Sequence, residues 1–267
     1  MKIKHTILGL ALTAALVLPG SAADVLSVNG QNLWDKAQAQ LVEGGTTYVS
    51  LRAVAEVLAP GADVTWEDGT AWVRGRGLTL SAKPGEQWLT VNGRALYVPY
   101  QVRLTNGKTM VPVRVLAQAL GGEVDWSAQR GVTLTPGSGK PAPASYTESD
   151  LYWMSRIISA ESRGEPLLGK LAVGTVVLNR VASPEFPDTI YDVIFDRKWG
   201  VQFTPVANGA IYWEPTQESV TAAKLVLEGA RAAGNSLYFQ DPSQTSDRWA
   251  ANNRPYVTTI GCHWFYA

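Results

Sequence analysis

In the stretch Leu151-Tyr152-Trp153-Met154-Ser155-Arg156-Ile157-Ile158-Ser159-Ala160-Glu161-Ser162-Arg163-Gly164, the apolar residues Leu151, Met154, Ile157 and Ile158 recur at the spacing of one helical face. Thr147 and Asp150, just ahead, have the pattern of a capping box. Ser162-Arg163-Gly164 closes the helix, with Gly164 suited to a left-handed cap. Glu161 falls on the apolar face near the C-terminal end. Desolvation and the negative end of the helix dipole both disfavour a carboxylate there, so its pKa is expected to rise. That is what a general acid working at neutral pH requires. A second reading stands beside it: Glu161 as a buried structural partner for Arg156, Arg163 or Arg180.

Downstream, Pro166 suits the first turn of a second helix. The almost wholly apolar run Leu171 to Leu178 predicts that this helix is buried on most sides. Glu165 precedes its N-terminus, where the dipole favours the ionised form and a role in helix stabilisation. Upstream, Pro136-Gly137-Ser138-Gly139-Lys140-Pro141-Ala142-Pro143-Ala144-Ser145 lacks apolar periodicity and reads as a linker over 136–145. It divides a first domain, 24–135, from a second, 146–267. With no core-forming pattern in the linker, the second domain is expected to fold without the first.

The first domain contains an internal repeat. Val28-Asn29-Gly30 recurs as Val91-Asn92-Gly93, 63 positions on. Tyr48-Val49-Ser50-Leu51-Arg52-Ala53-Val54-Ala55 recurs as Met110-Val111-Pro112-Val113-Arg114-Val115-Leu116-Ala117, 62 positions on, and Val64-Thr65-Trp66 as Val124-Asp125-Trp126. Each copy reads as strand, turn, strand, short helix, Gly-containing turn, strand, with tight Asn-Gly hairpins. Two copies burying their faces against each other make one small α+β domain.

At the N-terminus, Lys2 and Lys4 precede an apolar run ending at Pro19-Gly20, followed by the small residues Ser21-Ala22-Ala23. This reads as a secretory signal peptide over 1–23 and predicts export. The run is short for a membrane span, which takes about 20 residues, so membrane contact arises only if the segment is retained. Without Lys2 and Lys4 there remain 21 basic against 23 acidic residues, a mature charge of −2. Such a balance argues against nucleic acid as a partner. Carbohydrate needs aromatic and hydrogen-bonding surface instead, and ten tryptophans and ten tyrosines are available.

Elimination narrows the chemistry. Once His5 departs with the signal, the mature chain has one histidine, His263, and one cysteine, Cys262. A single histidine cannot build a His-rich zinc site, and neighbouring residues in an extended segment face opposite ways, which is poor geometry for a Cys/His pair. His263 reads as a packed structural residue. No metal or cofactor is expected, which leaves carboxylates, hydroxyls, lysine or backbone groups to act.

Ile157 to Pro166 and Gly169-Lys170-Leu171-Ala172-Val173-Gly174-Thr175-Val176-Val177-Leu178-Asn179-Arg180 resemble the spore cortex-lytic, SleB/CwlJ-type cell-wall hydrolase family. Phe186-Pro187-Asp188-Thr189-Ile190, Val193-Ile194-Phe195, Gln202-Phe203-Thr204-Pro205-Val206, Leu237-Tyr238-Phe239 and Ile260-Gly261-Cys262-His263-Trp264-Phe265-Tyr266 continue the resemblance in order. The repeat domain resembles the copper amine oxidase N-terminal-like domain. It holds no histidine or cysteine to bind copper, and its role is expected to be that of a spacer or wall-targeting module.

The resemblance implies an α+β, lysozyme-like (lytic-transglycosylase-like) second domain whose one essential glutamate falls on Glu161. Its implied partner is peptidoglycan. The implied reaction protonates the glycosidic oxygen between N-acetylmuramic acid and N-acetylglucosamine, then closes a 1,6-anhydro ring with the substrate's own 6-hydroxyl. Gln202, Phe203 and Tyr238 fall in matching blocks and are candidates for substrate binding. For Gln202, placed on a hairpin after Trp199-Gly200, stabilising the turn is the competing role; for Tyr238 it is core packing. Two alternatives stay open. One is a hydrolytic muramidase or glucosaminidase in which Glu165 or Asp188 is the second carboxylate. The other is a non-catalytic wall-binding protein.

Overall fold

The computed structural model describes residues 25–198, 200–246 and 248–267. The export signal read over 1–23 lies outside them. Within the described residues the chain is a mixed α+β protein with a β-rich N-terminal half and a helix-rich C-terminal half.

The repeat in the sequence is a repeat in the structure. Asn29-Gly30 and Asn92-Gly93 both take positive φ at both positions, closing two-residue hairpins between Leu26–Val28 and Gln31–Asn32, and between Trp88–Val91 and Arg94–Tyr97. Strand Thr46–Ser50 runs into helix α1 (Leu51–Leu58), capped by the Ser50 hydroxyl accepting from the Ala53 N–H. Its counterpart Lys108–Pro112 runs into helix α2 (Val113–Ala119), where Pro112 takes the cap position with no side-chain bond.

The copies are interleaved. Thr46–Ser50 pairs antiparallel with Lys108–Pro112, placing Val49 opposite Val111. These two valines are equivalent in the repeat, so an approximate two-fold axis passes between them. Strand Leu26–Val28 of the first copy pairs in parallel with Gly131–Thr135 of the second. Thr70–Gly75, Leu78–Ala82 and Trp88–Val91 form the centre of a five-stranded antiparallel sheet. The exchange buries Leu26, Val49, Leu58, Leu80, Leu89 and Leu116 in one core, each worth about 1.5–3 kcal/mol relative to exposure.

Residues 136–145 carry no helix or strand. The C-terminal half then begins with helix α3 (Glu148–Ser162), whose Thr147–Asp150 capping box is fully formed. Helix α4 (Leu167–Ala182) follows, with Pro166 in the cap position, and is buried from Gly169 through Val177. Helices α5 (Ile190–Phe195), α6 (Thr204–Asn208), α7 (Gln217–Leu227) and α8 (Trp249–Asn253) complete the helical part. A three-stranded antiparallel sheet sets His263–Tyr266 between Tyr238–Gln240 and Tyr256–Ile260.

Gly174 is where three helices meet: a Cβ there would lie 2.9 Å from Ile158 Cδ1 of α3 and 3.0 Å from Val226 Cγ2 of α7. One expectation is corrected at the end of α3. Gly164 is not among the residues with positive φ, and the cap residue is Arg163, in right-handed conformation. The chain does not swing away there. It turns tightly into α4, with the Glu165 N–H donating to the Ser162 carbonyl at 3.0 Å, so no left-handed residue is needed.

Candidate active site

Glu161 occupies the last turn of α3 and is partly buried. Burial pushes its carboxyl up to about 7, against the opposing pull of the nearby Arg180 charge. The direction matches the expectation drawn from its place on an apolar helix face. Half-protonated near neutrality, it can either give or take a proton.

Arg180, in the last turn of α4, is itself buried. Its guanidinium carbon lies 4.9 Å from the Phe186 ring centroid, 5.0 Å from that of Phe203 and 5.5 Å from that of Tyr238, a cation held among aromatic faces. Nε donates to the Leu237 carbonyl at 2.8 Å, and Nη1 is buried with no hydrogen-bond partner among the described residues. Burial lowers its pKa to about 10, offset by Tyr238, Asp196 and Glu161. Arg180 remains the cation of the pair.

A cleft of about 850 Å³ opens over this pair's aromatic surround. Its walls include Arg180, Glu185 and Phe186 after α4, Gln202, strand Tyr238–Gln240, and Trp249 and Arg254 around α8. Glu161 does not line the open cleft; Arg180 does, and it is the charge that acts on Glu161. Tyr238 is a cleft residue whose hydroxyl accepts from Arg254 Nη2 at 2.9 Å, with Trp249 edge-on at 5.5 Å. Arg254 in turn lies 3.7 Å from Glu185.

The remaining candidates divide. Gln202 lines the cleft and donates to the Gly200 carbonyl at 3.1 Å. Among the described residues no hairpin forms there: apart from a lone bridge between Lys198 and Gly200, residues 202–203 are a bend leading into α6, and Pro205 near the start of α6 favours a helical first turn over a strand. Phe203 is 2 % exposed and lies under the cleft among core side chains. Glu165 is turned away, its carboxylate accepting from the Cys262 N–H at 3.3 Å. Asp188 is exposed and outside the cleft lining. Cys262 is exposed while His263 is buried edge-on to Phe239 at 5.3 Å, so the two point apart.

Sequence reading missed Glu185, Trp249 and Arg254. Glu185 adjoins the Phe186-Pro187 block, a weak local signal; Trp249 and Arg254 carried none. Among the described residues, no group of three or more His, Cys, Asp or Glu side chains is gathered to hold a metal ion. No described helix is long and apolar enough to cross a membrane.

Two family models match the chain: "Cell Wall Hydrolase" over residues 164–266 and "Copper amine oxidase N-terminal domain" over residues 27–135. The first match begins three residues after Glu161. The chain is 39 % identical over 127 residues to a spore cortex-lytic enzyme of Bacillus cereus, covering 48 % of this chain and 48 % of that protein. It is 29 % identical over 133 residues to the cell wall hydrolase CwlJ of Oceanobacillus iheyensis, covering 47 % of this chain and 92 % of the relative. The chain thus spans about half the length of the spore cortex-lytic relative. Among solved structures, the catalytic domain of the germination-specific lytic transglycosylase SleB from Bacillus anthracis is 38 % identical, with a TM-score of 0.43 over 47 % of this chain and 100 % of that one.

Proposed function

Residues 164–266 belong to the cell wall hydrolase family and residues 27–135 to that of the copper amine oxidase N-terminal domain, and on that premise we propose that the chain is an exported enzyme that cuts peptidoglycan glycan strands as a lytic transglycosylase. The observation that carries the mechanism is the Glu161 carboxyl, held near a pKa of 7 by burial beside Arg180. In its protonated form Glu161 donates to the oxygen linking N-acetylmuramic acid to N-acetylglucosamine. The C1–O bond breaks and its electron pair stays on the leaving oxygen. The muramyl 6-hydroxyl then attacks C1 while its proton passes to the Glu161 carboxylate, restoring the acid and leaving a 1,6-anhydro end. Attack from within the substrate has the entropic advantage of an intramolecular reaction and needs no second protein carboxylate.

Tyr238 and Gln202 lie in the cleft wall, where ring stacking and amide hydrogen bonds suit acetamido sugars. Domains over 24–135 and 146–267, joined through 136–145, remain our proposed division. In the first, Trp66 and Trp126 occupy equivalent repeat positions and are both at least half exposed, which supports wall contact over a purely passive spacer.

One observation favours a second reading. Glu185, not Glu165 or Asp188, is the carboxylate in the cleft, and a hydrolase would use it to activate water. Digestion of purified sacculi decides between the two. Anhydro ends resist borohydride reduction and support the transglycosylase; reducible muramic acid identifies a muramidase, reducible glucosamine a glucosaminidase. Uncut glycan in the presence of folded protein would leave the wall-binding reading.

A further inference from the structure

A second pocket lies on the side of α3 turned away from Glu161. Arg156, Ser159, Ala160 and Arg163 stand at i, i+3, i+4 and i+7, one stripe of the helix, and with Ala210 and Trp213 they line a cavity of about 120 Å³. That is below the roughly 300–1,000 Å³ that takes up a whole small ligand, so the pocket suits a single group. Arg156 makes it polar. Its guanidinium carbon lies 3.7 Å from the Tyr152 ring centroid, and Nη2 donates to Glu214 Oε2 at 3.2 Å. Nε, the other prong of the same edge, is buried with no hydrogen-bond partner among the described residues. Arg94 shows that edge filled, with Nε and Nη2 both engaging Glu228. At Arg156 the fork that takes a whole carboxylate holds half of one, from a glutamate whose side chain is 87 % exposed. Exposed ion pairs are weak, so Glu214 is readily displaced. Arg163 adds a second positive charge to the lining, its Nη2 donating to the Glu214 carbonyl at 3.0 Å.

What adjoins the pocket is aromatic. Trp213, in its lining, is 67 % exposed. Tyr152, stacked with Arg156, meets Trp153 edge-on at 4.9 Å, and Tyr191 and Tyr212 meet the same Trp153 at 5.3 and 6.3 Å. All three tyrosines are exposed. Such rings offer apolar faces to sugar C–H groups and polar edges to sugar hydroxyls. We propose that this face is a second, non-catalytic site for peptidoglycan, in which a stem-peptide carboxylate displaces Glu214 from the Arg156 fork while the attached glycan lies across Trp213 and the tyrosines. The site rests on the reading of peptidoglycan as substrate. It extends that reading by holding the enzyme to the wall between cleavage events, so that the cleft meets its next bond at a high effective concentration.

The test is an NMR titration of full-length Glu161→Gln, in which cleavage is suppressed, with a disaccharide-tetrapeptide muropeptide. The Trp213 indole N–H and the Arg156 Nε–H are expected to shift along one binding curve, separate from that of Trp249 in the cleft. Tetra-N-acetylglucosamine, which has the rings but no carboxylate, should bind at Trp213 about tenfold more weakly, the scale for losing one charge-assisted hydrogen bond. Acetate at the same concentration should leave Trp213 unmoved. Arg156→Lys keeps the charge and loses the fork, and should weaken muropeptide binding by a similar factor. Glu214→Gln, at an exposed position, should strengthen it several-fold, whereas a purely structural Arg156–Glu214 pair predicts no gain. Still Trp213 and Arg156 signals, an equal response to the neutral oligosaccharide or to acetate, or a folded Glu214→Gln protein with no gain would each overturn the proposal. The two readings fail separately: a shift at Trp249 without one at Trp213 removes this site alone, and a shift at Trp213 without one at Trp249 keeps it while counting against the cleft.

Discussion

Arg94, on a hairpin of the repeat half, and Glu228, at the end of α7, form a two-armed ion pair that is nearly closed to solvent, with side-chain exposures of 14 % and 5 %. The third guanidinium nitrogen of Arg94 donates to the Ala142 carbonyl in the connecting segment. Lys224 Nζ of α7 donates to the Gly93 carbonyl at 2.6 Å, and Trp88, Ala95 and Tyr97 pack against the C-terminal core. The two halves are therefore joined by a packed contact as well as by residues 136–145.

Arg94→Ala should cost about 3–5 kcal/mol, because Glu228 is left buried without its counter-charge. Urea unfolding of the full-length protein measures it. A loss below 1 kcal/mol would mean that the two halves separate readily and Glu228 becomes hydrated. Residues 146–267 produced alone should likewise melt below the temperature of the same half in the intact chain.

Glu161→Gln should reduce glycan cleavage by a factor of about 100 to 10,000, the usual contribution of one general acid/base. Glu165→Gln should be milder, since that carboxylate is spent on the Cys262 backbone. Assays on sacculi with folding checked by circular dichroism compare them; equal losses would point to two catalytic carboxylates.

The raised Glu161 pKa has consequences for both rate and stability. As the acid of the first step, it loses its proton as pH rises, so kcat/KM should fall above about pH 7. For stability, the folded state binds the proton more tightly than the unfolded one. The contribution is fully present below the unfolded pKa and is lost as pH rises through about 7. Glu161→Gln should therefore unfold at higher temperature than wild type at pH 8, with the difference shrinking toward pH 4. Parallel melting curves at the two pH values would contradict this.

Gly261→Ala should destabilise the turn before His263. Gly261 has φ of 58° and its missing side chain would collide with the Glu165 carboxylate. The left-handed backbone alone costs about 1 kcal/mol or more for alanine, and displacing Glu165 would free the Cys262 N–H. A drop in melting temperature, with the extra Cys262 amide exchange seen by NMR, is the expected result.

Local and periodic features were legible in the residues themselves. The Thr147–Asp150 capping box, the buried run of α4 and the Asn-Gly hairpins depend on neighbours within a few positions, so propensity and spacing suffice. The repeat offset of 62 likewise foretold two equivalent strands, and Glu161 stood out because its helical face is a property of its own segment. Where local signals competed with tertiary demands they misled. Gly164 had the composition of a left-handed cap, yet the tight entry into α4 needed none, and the bend at Gln202 was set by the start of α6. Arg180 could be paired on paper with Glu161 but not given its three rings or its idle Nη1. Glu185, Trp249 and Arg254 come to one cleft from the segment after α4 and the region around α8, and Arg94 meets Glu228 across 134 positions. Such contacts arise from packing separate elements to exclude water, a condition on the whole chain that no short window of sequence expresses.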